Sequence, residues 1–436
     1  MAQLEATKNP LPEGTLEVAI GLAVAGVTAY AFLSLSKAAL GTSAYGPLGV
    51  LWAMVFTAGP GFFLPIEQEV SRAMAARRSR DQGSGPLLRR AALLGGLLLA
   101  LLVTATLVAG PLLVDQLLSG QWLLLVGLLL GLVGYWMGHL SRGALSGLGR
   151  FRPYSVYVGA EGLVRLLACV ALLVLGVKTA GLYGVAVGAA PIVAVAIAMR
   201  KEKGLVTEGP DAPWSELSGS LGALLAGSVL AQLLLNAGVP AIELLAHSND
   251  KEKVGTFFVA VVIARLPLFL FQAVQAALLP KLSALASAGR VEEFKAGFRR
   301  LAIVVAAVGL IGTAGALAIG PAVVSVAFKV DLSHRDLGVL AAGSAMYMLA
   351  IAIAQALIAL HGQKQAALCW LSGVLAFVVA TALGHDLYLR VEVGLLVGSL
   401  AALITMTACV LTRIRSGVSI ETGDLIEAIH DLSVEP

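Results

Sequence analysis

Charge is what this chain has least of. Only 13% of its 436 residues are Asp, Glu, Lys or Arg, against roughly 25% in soluble domains. So sparse a supply cannot cover a water-facing surface, which excludes an ordinary soluble globular protein. Cysteine is almost missing. Cys169, Cys369 and Cys409 all fall in apolar stretches and read as small buried hydrophobes, which excludes a disulfide framework and a cysteine metal cluster. The short signatures of catalysis are absent too. There is no Gly-x-x-x-x-Gly-Lys-Ser/Thr, no His-Glu-x-x-His and no Gly-x-Ser-x-Gly. The loop acids Asp115, Asp250, Asp331 and Asp386 stand singly, without the paired carboxylates a membrane transferase would need. Aromatics make up 6%, and no basic patch is interleaved with them, so nucleic acid is not an expected partner. These absences point away from an enzyme and imply no cofactor.

Apolar residues are there in abundance, at 58% of the chain with a mean hydropathy of +0.90. A membrane-spanning helix needs roughly 20 apolar residues. Such runs fall near 16–37, 45–66, 88–110, 121–141, 154–176, 180–199, 217–246, 254–279, 300–321, 337–360, 365–384 and 392–412. They predict an all-α integral membrane protein with about twelve spans. The first run reads as a span and not a cleaved signal, being too long and lacking a cleavage site. Small residues at Gly127–Gly138 and Gly309–Gly315 allow close helix approach.

Lys and Arg predict the orientation. Arg72, Arg77, Arg78, Arg80, Arg89 and Arg90 follow the second span, and Arg142, Arg150, Arg152, Arg200, Lys201, Lys203, Lys281, Arg299, Arg300, Arg413 and Arg415 fall on the same side. By the positive-inside rule both termini are then cytoplasmic, in a bacterial inner membrane. The net charge of +4 reads as topology and contact with anionic lipids.

An internal repeat organises the chain. Arg89-Arg90 precedes Gly110-Pro111 by 21 residues, and Arg299-Arg300 precedes Gly320-Pro321 by the same interval, 210 residues on. Phe63-Leu-Pro65 matches Leu278-Leu-Pro280, and Ala144-Leu145 with Gly149 matches Ala356-Leu357 with Gly362. Six spans per half is an even number. The halves, 1–205 and 206–415, are therefore expected to be parallel six-helix lobes about a pseudo-twofold along the membrane normal, with a site between them. The seam is Arg200 to Trp214, and 416–436 is an acidic tail.

Polar residues inside the spans form stripes. Tyr154, Tyr157, Glu161 and Arg165 share one helix face. Glu161 and Arg165 form an i,i+4 pair that reads either as a structural ion pair or as a switchable one. Ser228, Gln232, Asn236 and Glu243 form a second stripe, with Pro240 bending it. Arg265 and Gln272 form a third beside Pro267, and Tyr135, His139 and Arg142 a fourth. Arg265 has no acid three or four residues away. A bare guanidinium at bilayer depth costs a few kcal/mol or more, so it is expected to face a partner, Glu161 or Glu243 among them, or a wet cavity holding an anion.

Three segments carry a resemblance. Val254-Gly-Thr-Phe-Phe, Ala264-Arg-Leu-Pro-Leu and Leu278-Leu-Pro-Lys-Leu-Ser283 resemble the eighth span of polysaccharide flippases of the multidrug/oligosaccharidyl-lipid/polysaccharide (MOP) exporter superfamily. Gly143-Ala-Leu-Ser-Gly-Leu-Gly-Arg-Phe-Arg-Pro-Tyr154 resembles the loop after their fourth span. The resemblance implies a V-shaped pair of lobes around a cationic cavity. It implies alternating access that carries a polyprenyl-diphosphate saccharide to the outer leaflet. Arg265 matches a cavity arginine of the lipid II flippase branch. The chain departs from that branch in lacking its extra pair of spans and any membrane-depth arginine in its first two spans. On this reading Arg265 attracts the diphosphate, Gln272, Asn236 and Gln232 contact sugar hydroxyls, and Glu161–Arg165 switches. The partners are a lipid-linked anionic saccharide and membrane lipids, with proton or sodium coupling left open. Two alternatives stand beside it: an ion-coupled multidrug antiporter of the same superfamily, and a transport-inactive scaffold for cell-envelope assembly.

Overall fold

The computed structural model describes residues 14–217, 221–247, 250–268, 271, 291–360 and 362–415. Gln272, the Leu278-Leu-Pro280 landmark and the tail 416–436 lie outside the described residues. Every regular element among the described residues is helical. In chain order they are α1 (Thr15–Ser79), α2 (Gly85–Val108), α3 (Gly110–Gln116), α4 (Trp122–Gly147), α5 (Phe151–Val174), α6 (Ala180–Met199), α7 (Leu221–Asn236), α8 (Gly238–Leu245), α9 (Lys251–Ala264), α10 (Val291–Phe328), α11 (His334–Ala359), α12 (Gln363–Leu383) and α13 (Leu387–Arg415).

The helix α1 contains two expected spans. It folds back on itself at Gly41, whose φ of 71° and ψ of 171° belong to a backbone region open only to glycine. The stacking of Phe32 on Trp52, with ring centroids 5.8 Å apart, shows the reversal, since a straight helix would hold residues twenty apart about 30 Å from each other. The seventh expected span is also broken, α7 and α8 meeting at 56°. The short α3 was not expected from the sequence and forms the turn after the third span. With these breaks counted, all twelve expected spans correspond to helix in their described residues.

The halves are packed alike. The first arm of α1, 15–40, lies on α5, and its second arm, 42–79, on α4. The helix α4 also lies on α2 and α6, and α5 on α6. In the second half α7 lies on α12, α9 on α11, α11 on α10 and α13, and α12 on α13. Counted by span, these are the same pairs: first with fifth, second with fourth, third with fourth, fourth with sixth, and fifth with sixth. Close approach depends on glycine where helices cross: a Cβ at Gly188 would collide with the Gly127 carbonyl between α4 and α6.

The halves meet through α1. Its arms lie against α7 and α9, with Ser228 donating to the Pro60 carbonyl (3.2 Å) and Tyr30 to the Val262 carbonyl (3.1 Å). At the Gly41 end, Tyr45 packs on Phe258 at 5.0 Å. At the other end the seam does not hang free. Arg77, almost fully buried, donates to the carbonyls of Gly83, Pro210 and Asp211 and to the Glu216 carboxylate (2.8 Å), which straps the seam onto the first half. Arg150, which joins Glu202 at 2.8 Å, and Arg78, which donates to the Leu148 carbonyl, gather at the same end.

The reversal at Gly41 has open space around it, so a substitution there meets backbone strain without a clash. Gly41→Ala is expected to cost about 1–3 kcal/mol, read as a lower unfolding midpoint of the detergent-solubilised protein. An unchanged midpoint would mean that the reversal has another cause.

Candidate functional site

Two broken spans lie side by side near the middle of the second half. Pro240 has no N–H for the Asn236 carbonyl, and its ring presses on that carbonyl, so the seventh span breaks at Ala237. Pro267 acts likewise on the eighth span: α9 stops at Ala264, Arg265 leaves helical geometry, and the Pro267 ring packs on Gly312 of α10. Arg265 therefore stands at one break and reaches across to the other. Its Nη1 donates to Asn236 Oδ1 at 3.0 Å and its Nη2 to the Leu235 carbonyl in the last turn of α7. A guanidinium here caps a helix C-terminus, where the macrodipole favours a cation.

The bonding continues from Asn236, whose Nδ2 donates to Gln232 Oε1 (3.3 Å) and to the Gln232 carbonyl (3.1 Å). Gln232 lies where α7 meets the second arm of α1, its carbonyl facing the Thr57 hydroxyl at 3.5 Å. Three of the six expected site residues are thus joined in one line, from the interior of the second half to the contact between the halves. Arg265 lines a cavity of about 20 Å³ with Tyr347, Ser344 and Ser399, space for about one water. The expectation was a vestibule between the halves; the cavity lies instead among α7, α9, α11 and α13. Neither carboxylate considered as a partner takes Arg265. Glu161 faces Arg165, Glu243 accepts from Ser119 at 3.3 Å, and no described carboxylate lies within ion-pair distance of Arg265.

Glu161 and Arg165 belong to a separate column in the first half. Their closest approach is 3.6 Å, long for an ion pair, and Tyr135 donates to Glu161 at 3.0 Å. The Arg165 guanidinium sits in an aromatic box, 4.9 Å from the Trp52 ring centroid, 5.8 Å from Phe56 and 5.9 Å from Phe32. Further along, a group that the sequence did not reveal completes the column. Glu67, 6% exposed, binds His139 Nδ1 at 2.6 Å and Arg142 at 3.0 Å, with Tyr154 at 3.3 Å. Glu67 lies one residue beyond the expected end of the second span, and its partners come from α4 and α5. The helix in fact runs on to Ser79. Two acids and two arginines balance in this column, with His139 between them.

No protein-family model matches the chain. Among curated proteins it is 26% identical over 431 residues to the uncharacterized protein Rv1510 of Mycobacterium tuberculosis, with 94% of each chain covered. It is 25% identical over 402 residues to the uncharacterized protein Mb3654 of Mycobacterium bovis, covering 88% of this chain and 89% of that one. Among solved structures it superposes on the outward-facing form of a multidrug resistance MATE family transporter of the MOP superfamily. The TM-score is 0.66 at 15% identity, with 92% of this chain and 94% of the other covered. The inward-facing form of a transporter described in the same words matches with a TM-score of 0.63 at 14% identity, over 95% and 98% of the chains. A mutant of the Vibrio cholerae MATE transporter VcmN is similar with a TM-score of 0.64 at 16% identity, over 93% and 97%.

The chain has the MATE transporter fold.

That fold is multi-pass and membrane-embedded. Within it the first-half column sets a stability test. Glu67→Ala leaves Arg142 and His139 without their shared carboxylate, and removing one member of a buried ion pair costs about 3–5 kcal/mol. Replacing Glu67, His139 and Arg142 together by Leu, Phe and Met is expected to recover most of that loss. Thermal unfolding in detergent compares the two; equal losses would show that the column's charges do not compensate one another.

Proposed function

We propose that this protein is an alternating-access transporter that moves a polyprenyl-diphosphate-linked saccharide from the cytoplasmic to the outer leaflet. What supports the reading is Arg265, a guanidinium between two broken spans with no described carboxylate beside it. Discontinuous helices near the bilayer midplane are where transporters of many folds place their substrates. A fixed positive charge there attracts a diphosphate and repels a cation. Arg265 already holds Asn236 and the Leu235 carbonyl, so the remaining N–H groups are the ones offered to substrate. Asn236 and Gln232 lie in line to meet sugar hydroxyls, with Gln272 of the same proposal further along the eighth span. The lipid tail stays in the bilayer while the head group crosses.

The lobes 1–205 and 206–415 would rock against each other beyond Glu216, because the strap up to that residue is tied to the first half by Arg77. Both termini are taken as cytoplasmic, and the membrane as the bacterial inner one, from the clustering of Lys and Arg. Glu161–Arg165 would loosen and reform as the halves move, its 3.6 Å separation leaving room for exchange. A second reading, an ion-coupled multidrug antiporter, is favoured by the multidrug transporters that share the fold. Coupling to protons or sodium fits both.

The test uses proteoliposomes carrying a fluorescent polyprenyl-diphosphate disaccharide, with leaflet position read by a membrane-impermeant quencher. A hydrogen bond to a charged group is worth about 1.5–3 kcal/mol, so Arg265→Ala is expected to slow flipping about ten- to a hundredfold. Asn236→Asp keeps the helix cap but supplies the missing counter-ion, and is expected to slow it likewise. Normal flipping by both variants would remove Arg265 from the substrate path. Gradient-driven efflux of an organic cation without lipid flipping would select the antiporter.

A further inference from the structure

Among the described residues of the second half, one fully buried acid is left without a hydrogen-bond partner. Glu392, a turn and a half into α13, is 0% exposed, and neither of its carboxyl oxygens has a hydrogen-bond partner. An ionised carboxylate buried without a partner is too costly to persist, whereas a neutral acid costs far less. Its surroundings deepen the problem. Asp336 of α11, itself buried, and Asp386 of the α12–α13 turn act on it as like charges, and Arg335 is the opposing charge. Arg335 is already engaged with Asp336 at 2.8 Å. The helix α12 brings Thr381, whose buried, unbonded Oγ1 lies against Gly394, two residues on from Glu392. The helix α8 brings Glu243, which is taken by Ser119. On α13 itself Arg390 has a buried, unbonded Nε, and Tyr388 points away to α9.

That last contact links Glu392 to the meeting of the halves. Tyr388 donates to the Lys253 carbonyl at 2.7 Å and packs on Phe257 at 5.5 Å, beside the Asp250–Lys253 ion pair. Hydrogen bonding to Lys253 holds the Asp250 carboxyl below its ordinary range, so this ion pair stays charged. Val254, Gly255 and Phe258 of the same helix press on the second arm of α1. Gly255 lies so close to the Thr42 carbonyl that a Cβ would collide with it, and Gly49 lies against the Phe258 ring. Parting the halves here pulls on α9, on Tyr388 and so on the start of α13.

We propose that Glu392 is a proton-binding site at the Gly41 end of the second half, loaded when the halves touch there and discharged when they part. In the closed form the side chain is a carboxylic acid. When α9 moves away, water enters between α11 and α13, the acid ionises, and its proton leaves to that water. The same acid, refilled on closing, gives the transport cycle a proton-dependent step distinct from the Glu67–His139 contact. The proposal rests on the transporter reading only for what the proton is used for.

The experiment therefore needs no saccharide. The full-length protein in detergent or liposomes is treated with dicyclohexylcarbodiimide, which reacts with protonated carboxyls in apolar surroundings, and the adduct on the Glu392 peptide is quantified by mass spectrometry. Labelling is expected at pH 7, well above the range of about 4 to 5 where exposed carboxyls lose their protons, and is expected to disappear at alkaline pH and in Glu392→Gln. Gly255→Leu wedges the contact open, so its labelling at pH 7 is expected to fall severalfold, with thermal unfolding confirming that the variant is folded. Should the wedge variant not fold, Tyr388→Phe, which cuts the link to Lys253, takes its place with the same expected fall. No adduct at pH 7, or an adduct unchanged by opening the contact, overturns the proposal. Protection by sodium chloride at constant pH overturns it in favour of an alkali-cation site.

Discussion

The guanidinium of Arg265 and the carbonyl end of α7 depend on each other, and the middle of the second half is arranged around that pair. Pro240 ends a helix inside the apolar interior, where the freed carbonyls need a protein donor. Arg265, let out of its own helix by Pro267, arrives there as the donor. Hydrocarbon tolerates a helix break only where protein groups satisfy the backbone again. It tolerates a guanidinium only where acceptors surround it. Each defect is the other's remedy. The positive charge remains, because the acceptors are an amide and a carbonyl and not a carboxylate.

The two halves, alike in packing, handle charge in opposite ways. The first spends its buried acids on its own arginines: Glu67 on Arg142 and His139, Glu161 on Arg165. The second separates the signs, leaving Arg265 near the middle with no described carboxylate beside it and Glu392 near the Gly41 end with no described cation bonded to it. Balanced groups fix a structure, and separated ones leave energy to be recovered by a ligand. The helix α9 lies between the two, carrying Arg265 at one end and touching Tyr388 at the other. A movement of α9 relative to α1 is therefore felt at both sites.

Much of this was legible in the sequence because membrane constraints are local. Run length marked the spans, and the glycines at 127–138 marked a close helix approach, whose partner, α6, only the structure names. The absence of an acid near Arg265 in sequence marked the residue that has no described acid near it in space. Gln232 and Asn236 do share one helix stripe, but their hydrogen bond to each other is a finding of the structure. What could not be read depends on pairing between distant segments. Glu67 meets His139 across 72 residues of chain, and it sat one residue outside an apolar run whose helix continues. Arg77 read as one more cytoplasmic charge, although it is buried and holds the seam. Hydropathy also could not show that Arg265 turns into the second half, since a helix break redirects a side chain without changing composition.

The aromatic box around Arg165 bears on which substrate class the fold serves here. Trp52, Phe56 and Phe32 form the kind of cage that binds organic cations, each desolvated ring contributing up to about 2 kcal/mol. In this chain the cage is filled from within, and Glu161, the acid a foreign cation would want, faces the same guanidinium. A cationic guest must expel Arg165 from both and leave a second unpaired positive charge in the first half, in addition to Arg265 in the second. An anionic guest faces no such displacement. It adds a counter-ion where one is lacking and leaves the first-half column intact. The same three rings that would draw a cation in a neutral site thus raise the cost of one here, which is why the proposed function takes a negatively charged head group.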